Sequence, residues 1–148
     1  MDDVRSVAVF ARSFLQSGAQ LDVLVNNAGC MVGWRRMRCW MQQSYLCSTT
    51  TKTTTTKVHE HKETPDRLEH NFTVNTLAPY VITLTLLPLL AASSDARVIT
   101  VSSGGMLLEK LQPDDLQSTR RPFKGDQIYA QNKVAWCVCV WIVREFLV

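Results

Sequence analysis

The chain has 148 residues, 46% of them hydrophobic and 20% charged, the length and composition of one ordinary globular domain. A net charge of +3 is no nucleic-acid footprint. Stretch 33–66 carries Arg35, Arg36, Arg38, Lys52, Lys57 and Lys62 against Glu60, Glu63 and Asp66, so the excess sits there and the remainder is neutral. Five cysteines, an odd number without Cys-x-x-Cys spacing, give neither a disulfide framework nor a zinc site. A reducing compartment, by default the cytoplasm, is the expected setting. No N-terminal stretch combines the basic start and apolar core of a signal peptide.

In chain order, Val4, Val7, Ala8, Phe10, Ala11, Phe14 and Leu15 recur at helical spacing, so 4–17 reads as an amphipathic helix. Asp2 and Asp3 suit its positive end, and Gly18 marks its stop. Residues 21–25 read as a buried parallel strand leading into Asn26-Asn27-Ala28-Gly29, whose small residues let a backbone pass close to a ligand. Taken alone, that segment reads better as a plain strand-to-loop turn. From 33 the composition changes. Ser48-Thr-Thr-Thr-Lys-Thr-Thr-Thr-Thr-Lys57 has β propensity but no apolar alternation, so 33–66 is expected to be a flexible, unrelated insertion. Its basic cluster with Trp34 and Trp40 could touch a membrane or nucleic acid; a segment without an evolved role fits better. His59-Glu60-His61 is a poor metal site at i, i+2 spacing, and no metal is expected.

From 67 a long apolar helix is expected through Leu68, Phe72, Leu77, Val81, Ile82, Leu84 and Leu86. Pro79 withholds an N–H from the carbonyl of Asn75, and Pro88 should end the helix. Val98-Ile-Thr-Val-Ser-Ser-Gly-Gly105 reads as a buried strand ending in Ser102 and Ser103. In Tyr129-Ala-Gln-Asn-Lys133 a helix would put a phenol and an ammonium one turn apart, where the cation stabilises the phenolate and suits the phenol to proton transfer. The run from Val134 to Val143 is shorter than the ~20 residues that span a bilayer. It is β-rich and unpatterned, so 134–148 is expected to be an aberrant, exposed apolar end.

Leu24-Val-Asn-Asn-Ala-Gly29, Asn71-Phe-Thr-Val-Asn-Thr76, the serine strand and the Tyr129/Lys133 pair stand in one order. That ordered set resembles the short-chain dehydrogenase/reductase family over 4–32 and 67–133. The long interval from Ser103 to Tyr129, with Asp114-Asp115-Leu116 and Pro122-Phe123, looks like the family's member-12 branch and its retinol-dehydrogenase-like relatives, and its apolar Met106, Leu107, Leu108 and Leu111 hint at a lipophilic substrate, although local packing accounts for them better. The resemblance implies an α/β fold with a Rossmann-like, doubly wound parallel sheet. It also implies hydride transfer between NADP or NAD and an alcohol or carbonyl, with a small lipophilic substrate. By the same resemblance Tyr129 transfers the proton, Lys133 supports it and holds the nicotinamide ribose, Ser103 binds the substrate oxygen, and Asn75 orders a relay water. Asn27, Ala28 and Gly29 would flank the cofactor together with Tyr129 and Lys133. Family-type homo-oligomers are implied too; nucleic acid and a transmembrane segment are not.

One departure stands against this. The family's Gly-x-x-x-Gly-x-Gly turn, which holds the cofactor pyrophosphate, occurs nowhere in the chain. The first βαβ units are therefore expected to be missing, and the chain to be truncated at both ends. Two readings stay open: an oxidoreductase, or a catalytically inactive, mis-spliced fragment that serves at most as an interaction module.

Overall fold

The computed structural model describes residues 1–31 and 60–144. Helix α1 (Val4–Gln16) forms over the predicted apolar repeat. Asp3 is its N-cap: one carboxylate oxygen accepts from the backbone N–H of Arg5 at 3.0 Å and of Ser6 at 3.2 Å. The aspartate therefore caps directly as well as favouring the helix dipole. Gly18, at φ +72°, takes the left-handed conformation that closes the helix. Val7 and Ala11 are buried while Val9 and Phe10 are exposed, so the buried stripe is narrower than the repeat suggests.

Strand β1 (Val23–Asn26) pairs in parallel with β2 (Arg97–Thr100), in register from Val23 opposite Arg97 to Asn26 opposite Thr100. Strand β2 ends three residues before the expected Ser103. The last bond runs from the N–H of Val101 to the carbonyl of Asn26 at 3.0 Å, and β1 stops there, so Ser102 and Ser103 have no strand beside them among the described residues. The sheet's two faces differ. Asn26 Nδ2 donates to Thr83 Oγ1 at 3.1 Å on the helix-covered side. Val25 and Ile99, 55% and 46% exposed, pair on the other. A parallel pair joined through helical crossover is a partial Rossmann-like α/β fold.

The longest helical run, His70–Ala91, combines α2 (His70–Phe72), a π turn (Thr73–Leu77) and α3 (Ala78–Ala91). Glu69, 1% exposed, caps it by accepting from the backbone N–H of Asn71 at 2.9 Å and of Phe72 at 2.6 Å. Pro79 explains the π turn: its nitrogen has no hydrogen for the carbonyl of Asn75, and the backbone widens so that Ala78 N–H reaches Thr73 O. The expected stop at Pro88 is corrected, because the helix continues to Ala91. Pro88 deprives only the carbonyl of Leu84, and both residues lie at the surface, where water can take over. By length and composition this run could cross a membrane. Here it packs on α1 and on the last helix, with Thr73, Asn75, Thr76 and Thr83 buried, as a core helix does.

Helix α4 (Gly125–Arg144) corrects the reading of 134–143 as a β-rich exposed end. It runs on unbroken past Lys133 and buries Ala135, Trp136 and Val143. β-Branched residues cost a helix at most ~0.7 kcal/mol each, and burial of a tryptophan and a valine offsets several of them. Trp141 and Ile142 remain exposed. Residues 145–148 lie outside the described residues.

The Thr-rich run, the Trp34–Trp40 basic cluster and His59 also lie outside them. Residues 60–66, expected to belong to the flexible insertion, are bonded into the fold. Lys62 O accepts from His70 N at 2.9 Å, Glu63 bridges Glu69 antiparallel, and Asp66 pairs with Arg5 at 3.0 Å. His61 Nε2 lies 3.0 Å from Gln117 O, and its ring stands edge-on to Phe123. Backbone pairing and an aromatic contact fix this stretch without any apolar periodicity.

One pH effect follows. Burial, reinforced by Lys62, holds the His70 imidazole below its ordinary value, and its Nδ1 is buried without a partner. The unfolded chain therefore takes up a proton first as pH falls through ~6.5, so the fold loses stability on that descent until the lowered folded value is passed. Melting temperatures recorded from about pH 7 to about pH 5 should fall, and more steeply in the wild type than in His70→Gln.

Candidate active site

The site is assembled where the loop after β1, the π turn and α4 meet. Asn75, 1% exposed, clamps the loop: its Nδ2 donates to Cys30 O at 2.7 Å, and its Oδ1 accepts from Cys30 N–H at 3.0 Å. A side-chain amide thus imitates one rung of a β-ladder and fixes the segment that follows Asn27, Ala28 and Gly29. Those three residues are exposed at the carboxyl end of β1, the end at which ligands bind in such sheets. Gly29 has a steric reason to be glycine. A Cβ there would stand 3.0 Å from Asn75 Oδ1 and 3.5 Å from Lys133 Nζ.

Lys133 is 4% exposed. Its ammonium donates to Val101 O at 3.0 Å and lies 5.7 Å from the centre of the Tyr129 ring, within cation–π range. The predicted one-turn pairing is therefore present, with the lysine set over the ring face and also tied to the backbone after β2. Burial pushes the Lys133 amine below its ordinary value, partly countered by the nearby Cys137 and Cys30 thiols. Tyr129 itself is half-buried. Ser103 is extended, at φ −151° and ψ 142°, and leads into a 3₁₀ turn (Gly104–Leu108). The Cβ that Gly105 lacks would sit 3.8 Å from both Ser103 Oγ and Ala130 Cβ, so the serine lies beside the residue that follows Tyr129. Asn75 and Lys133 thus meet at Gly29, and Gly105 stands between Ser103 and Ala130 of α4.

Several supports escaped the sequence reading. Glu109 accepts from Gln127 Nε2 at 3.2 Å and Gln131 Nε2 at 2.9 Å, while Arg121 donates to Gln131 Oε1 at 2.8 Å and pairs with Asp115 at 3.3 Å. This network fastens the 106–124 segment along α4 on both sides of Tyr129. The i, i+4 glutamines were its signal in the sequence, though their partners lie 10 to 22 residues away. A cavity of about 270 Å³ between α1, β1 and α3 includes Asn26, Asn27 and Ala28 in its wall. No group of three or more His, Cys, Asp and Glu suited to a metal ion occurs among the described residues.

Cys30 is beside this site but chemically quiet. Burial, then the charge of Glu69, pushes its thiol up from 9.0 to about 12. Three units correspond to a roughly thousandfold smaller thiolate fraction at neutral pH. Cys30 should accordingly be alkylated by iodoacetamide only after denaturation, as followed by peptide mass spectrometry.

No family model matches the chain. It is 42% identical over 133 residues to dehydrogenase/reductase SDR family member 12 of Homo sapiens, covering 90% of this chain and 33% of that protein. To retinol dehydrogenase 12 of Homo sapiens it is 31% identical over 135 residues, covering 91% and 34%. Its fold superposes on a metagenomic short-chain oxidoreductase solved in complex with NADP, with TM-score 0.55 and 22% identity over 99% of this chain and 50% of that one. The chain thus spans about a third of the length of the curated relatives it matches. The loop after β1, the π turn that carries Asn75, the segment that follows β2 and the tyrosine–lysine helix hold the site residues, and with these relatives they make the chain a member of the short-chain dehydrogenase/reductase family.

Proposed function

We propose that the chain carries the catalytic segment of an NAD(P)-dependent oxidoreductase acting on a small lipophilic alcohol or carbonyl. The observation that supports this best is the convergence at Gly29, where the space a side chain would fill lies 3.5 Å from Lys133 Nζ and 3.0 Å from Asn75 Oδ1. The close approach that Gly29 permits keeps the loop after β1 beside a buried ammonium, which fits the ribose of a nicotinamide cofactor, whose hydroxyls accept hydrogen bonds. One of the three Lys133 N–H donors goes to Val101 O, and the others serve that ribose. A bound nicotinamide supplies or accepts the hydride. Tyr129 then exchanges a proton with the substrate oxygen, and Ser103 holds that oxygen by a hydrogen bond. The backbone carbonyl of Asn75, released from its helical partner by Pro79 and the π turn, accepts from a water that returns the proton to solvent.

The substrate class rests on Leu107 and Leu108, 82% and 85% exposed in the turn that begins beside Ser103. Two large apolar side chains at such a mouth favour a lipophilic molecule, in keeping with the retinol dehydrogenases among the relatives.

The second reading, an inactive fragment, draws on the exposed sheet face of Val25 and Ile99, since parallel sheets are normally covered on both sides. A thermal-shift titration with NADPH, and separately with NADH, separates the two. A ligand bound only by the folded chain stabilises it by ~2.7 kcal/mol at a hundred times its dissociation constant. A saturable rise supports the oxidoreductase; a flat transition supports the inactive fragment.

A further inference from the structure

The turn that follows Ser103 is laid against α4 and fastened at its far end. Met106 N–H donates to Ser103 O at 3.1 Å and Glu109 N–H to Met106 O at 3.3 Å, so Ser103 and Glu109 are the two ends of one hydrogen-bonded unit. Between them Gly105 faces Ala130, and Met106 Sδ touches Cys137 Sγ at 3.6 Å. At the far end one carboxylate oxygen of Glu109 accepts from Gln127 Nε2 at 3.2 Å and from Gln131 Nε2 at 2.9 Å. The two glutamines stand one turn apart on one face of α4, with Tyr129 midway between them in sequence. We propose that Gln131 is a positioning residue: through Glu109 it sets where the turn, and with it Ser103, stands relative to Tyr129. This rests on the roles proposed above for Ser103 and Tyr129.

Gln131 is singled out by its burial and by the use of both ends of its amide. It is 6% exposed, its Nε2 donates to Glu109, and its Oε1 accepts from Arg121 Nη2 at 2.8 Å. A buried amide engaged at both ends has one orientation, since a flip would set donor against donor and acceptor against acceptor. Arg121 also pairs with Asp115 at 3.3 Å, so the returning limb of the 106–124 segment is held by the same side chain as the outgoing one. Gln127 is half-buried and serves as the second donor to Glu109.

The clasp is separate from the groups assigned to the cofactor. Lys133 bonds to Val101 O, and Asn75 bonds to the backbone of Cys30. Neither touches Glu109, Gln131 or Arg121. Loss of the clasp therefore displaces the partner of the substrate oxygen and leaves the lysine side in place. A displacement of ~1 Å between reacting groups can cost ~10²-fold in rate.

The test compares two variants of the full chain. Gln131→Leu is close in size and removes both bonds. The double variant Glu109→Gln/Gln131→Glu exchanges donor and acceptor: the amide at position 109 then donates to the carboxylate at position 131, which still accepts from Arg121. Three quantities are measured: kcat for a long-chain aldehyde with NADPH, the dissociation constant of NADPH, and hydrogen exchange at the Met106 and Glu109 amides. Gln131→Leu should lower kcat by ~10-fold or more, leave NADPH affinity within ~2-fold, and speed exchange at both amides by ~10-fold or more. The double variant should return all three to within ~3-fold of the wild type. An unchanged kcat in Gln131→Leu, an equal loss of kcat and NADPH affinity, or a double variant no better than Gln131→Leu overturns the proposal. If the wild type turns over no aldehyde, the oxidoreductase reading fails on its own, and exchange decides the clasp: faster in Gln131→Leu and restored in the double variant upholds it, unchanged exchange overturns it. Where Gln131→Leu does not fold, Gln131→Glu, which sets a second carboxylate against Glu109, takes its place in the same comparison.

Discussion

Trp136→Ala should cost the fold about 3–5 kcal/mol, the range for deleting a fully buried large aromatic. Trp136 is 1% exposed and is the largest of the fully buried side chains among the described residues. It sits in the part of α4 that carries the helix past Lys133, between the buried Ala135 and, two turns on, Val143. A domain of this size loses roughly 2–8 °C of melting temperature per kcal/mol, so calorimetry should record a fall of at least about 6 °C or the absence of a cooperative transition. A variant that melts within a degree or two of the wild type would mean that α4 beyond Lys133 is not part of the folded unit. Trp141→Ala is the control: that side chain is 64% exposed, and its removal should change stability by no more than about 0.5 kcal/mol.

The second large effect separates catalysis from stability at one residue. Lys133→Met should lower hydride transfer at least ~10²-fold while leaving unfolding free energy within about 1 kcal/mol of the wild type. Methionine nearly matches the length of the lysine stem and suits its apolar surroundings. The variant gives up the bond to Val101 O but also removes an ammonium that burial holds below its ordinary value. The sign of the pH effect follows. With a lowered folded value, the native chain releases the Lys133 proton before the unfolded chain does. The stability cost of the buried charge is therefore present in full below that folded value and is relieved as pH rises from it toward ~10.4. Denaturant titrations taken as pH rises toward ~10.4 should show this rise in the wild type and lose it in Lys133→Met. A variant that is grossly destabilised, or one that keeps full activity, would contradict the role given to this lysine.

What could be read in advance depended on how local the physics was. Helix α1 was legible because its apolar repeat, Asp3 cap and Gly18 stop all lie within one short stretch. The order of Gly29, Asn75, Ser103, Tyr129 and Lys133 was legible as a family pattern, and the fold brings these residues to one region. Whether they act as assigned is what the substitutions test. The bond Pro79 withholds from the carbonyl of Asn75 was legible, since a missing N–H is a property of the residue itself, and a π turn lies there. Pro88 misled for the same reason: the donor is missing, but an exposed carbonyl at Leu84 can turn to water. The end of the chain was misread because Val, Ile, Trp and Cys favour strands only when a sheet receives them. Trp136 and Val143 found a core from a helix instead. Contacts across distance had no sequence signal strong enough to read. The Asn75 clamp on Cys30 joins residues 45 apart, and the His61 contact with Gln117 joins residues 56 apart.

The most direct test of the central account is NADPH oxidation by the full chain in the presence of a long-chain aldehyde such as retinal, with Tyr129→Phe measured beside the wild type. The account predicts aldehyde-dependent loss of NADPH in the wild type and a rate lower by ~10²–10⁴-fold in Tyr129→Phe, the usual worth of a positioned proton donor. Equal rates in the two proteins, or no aldehyde-dependent oxidation by a wild type that binds NADPH, would contradict it.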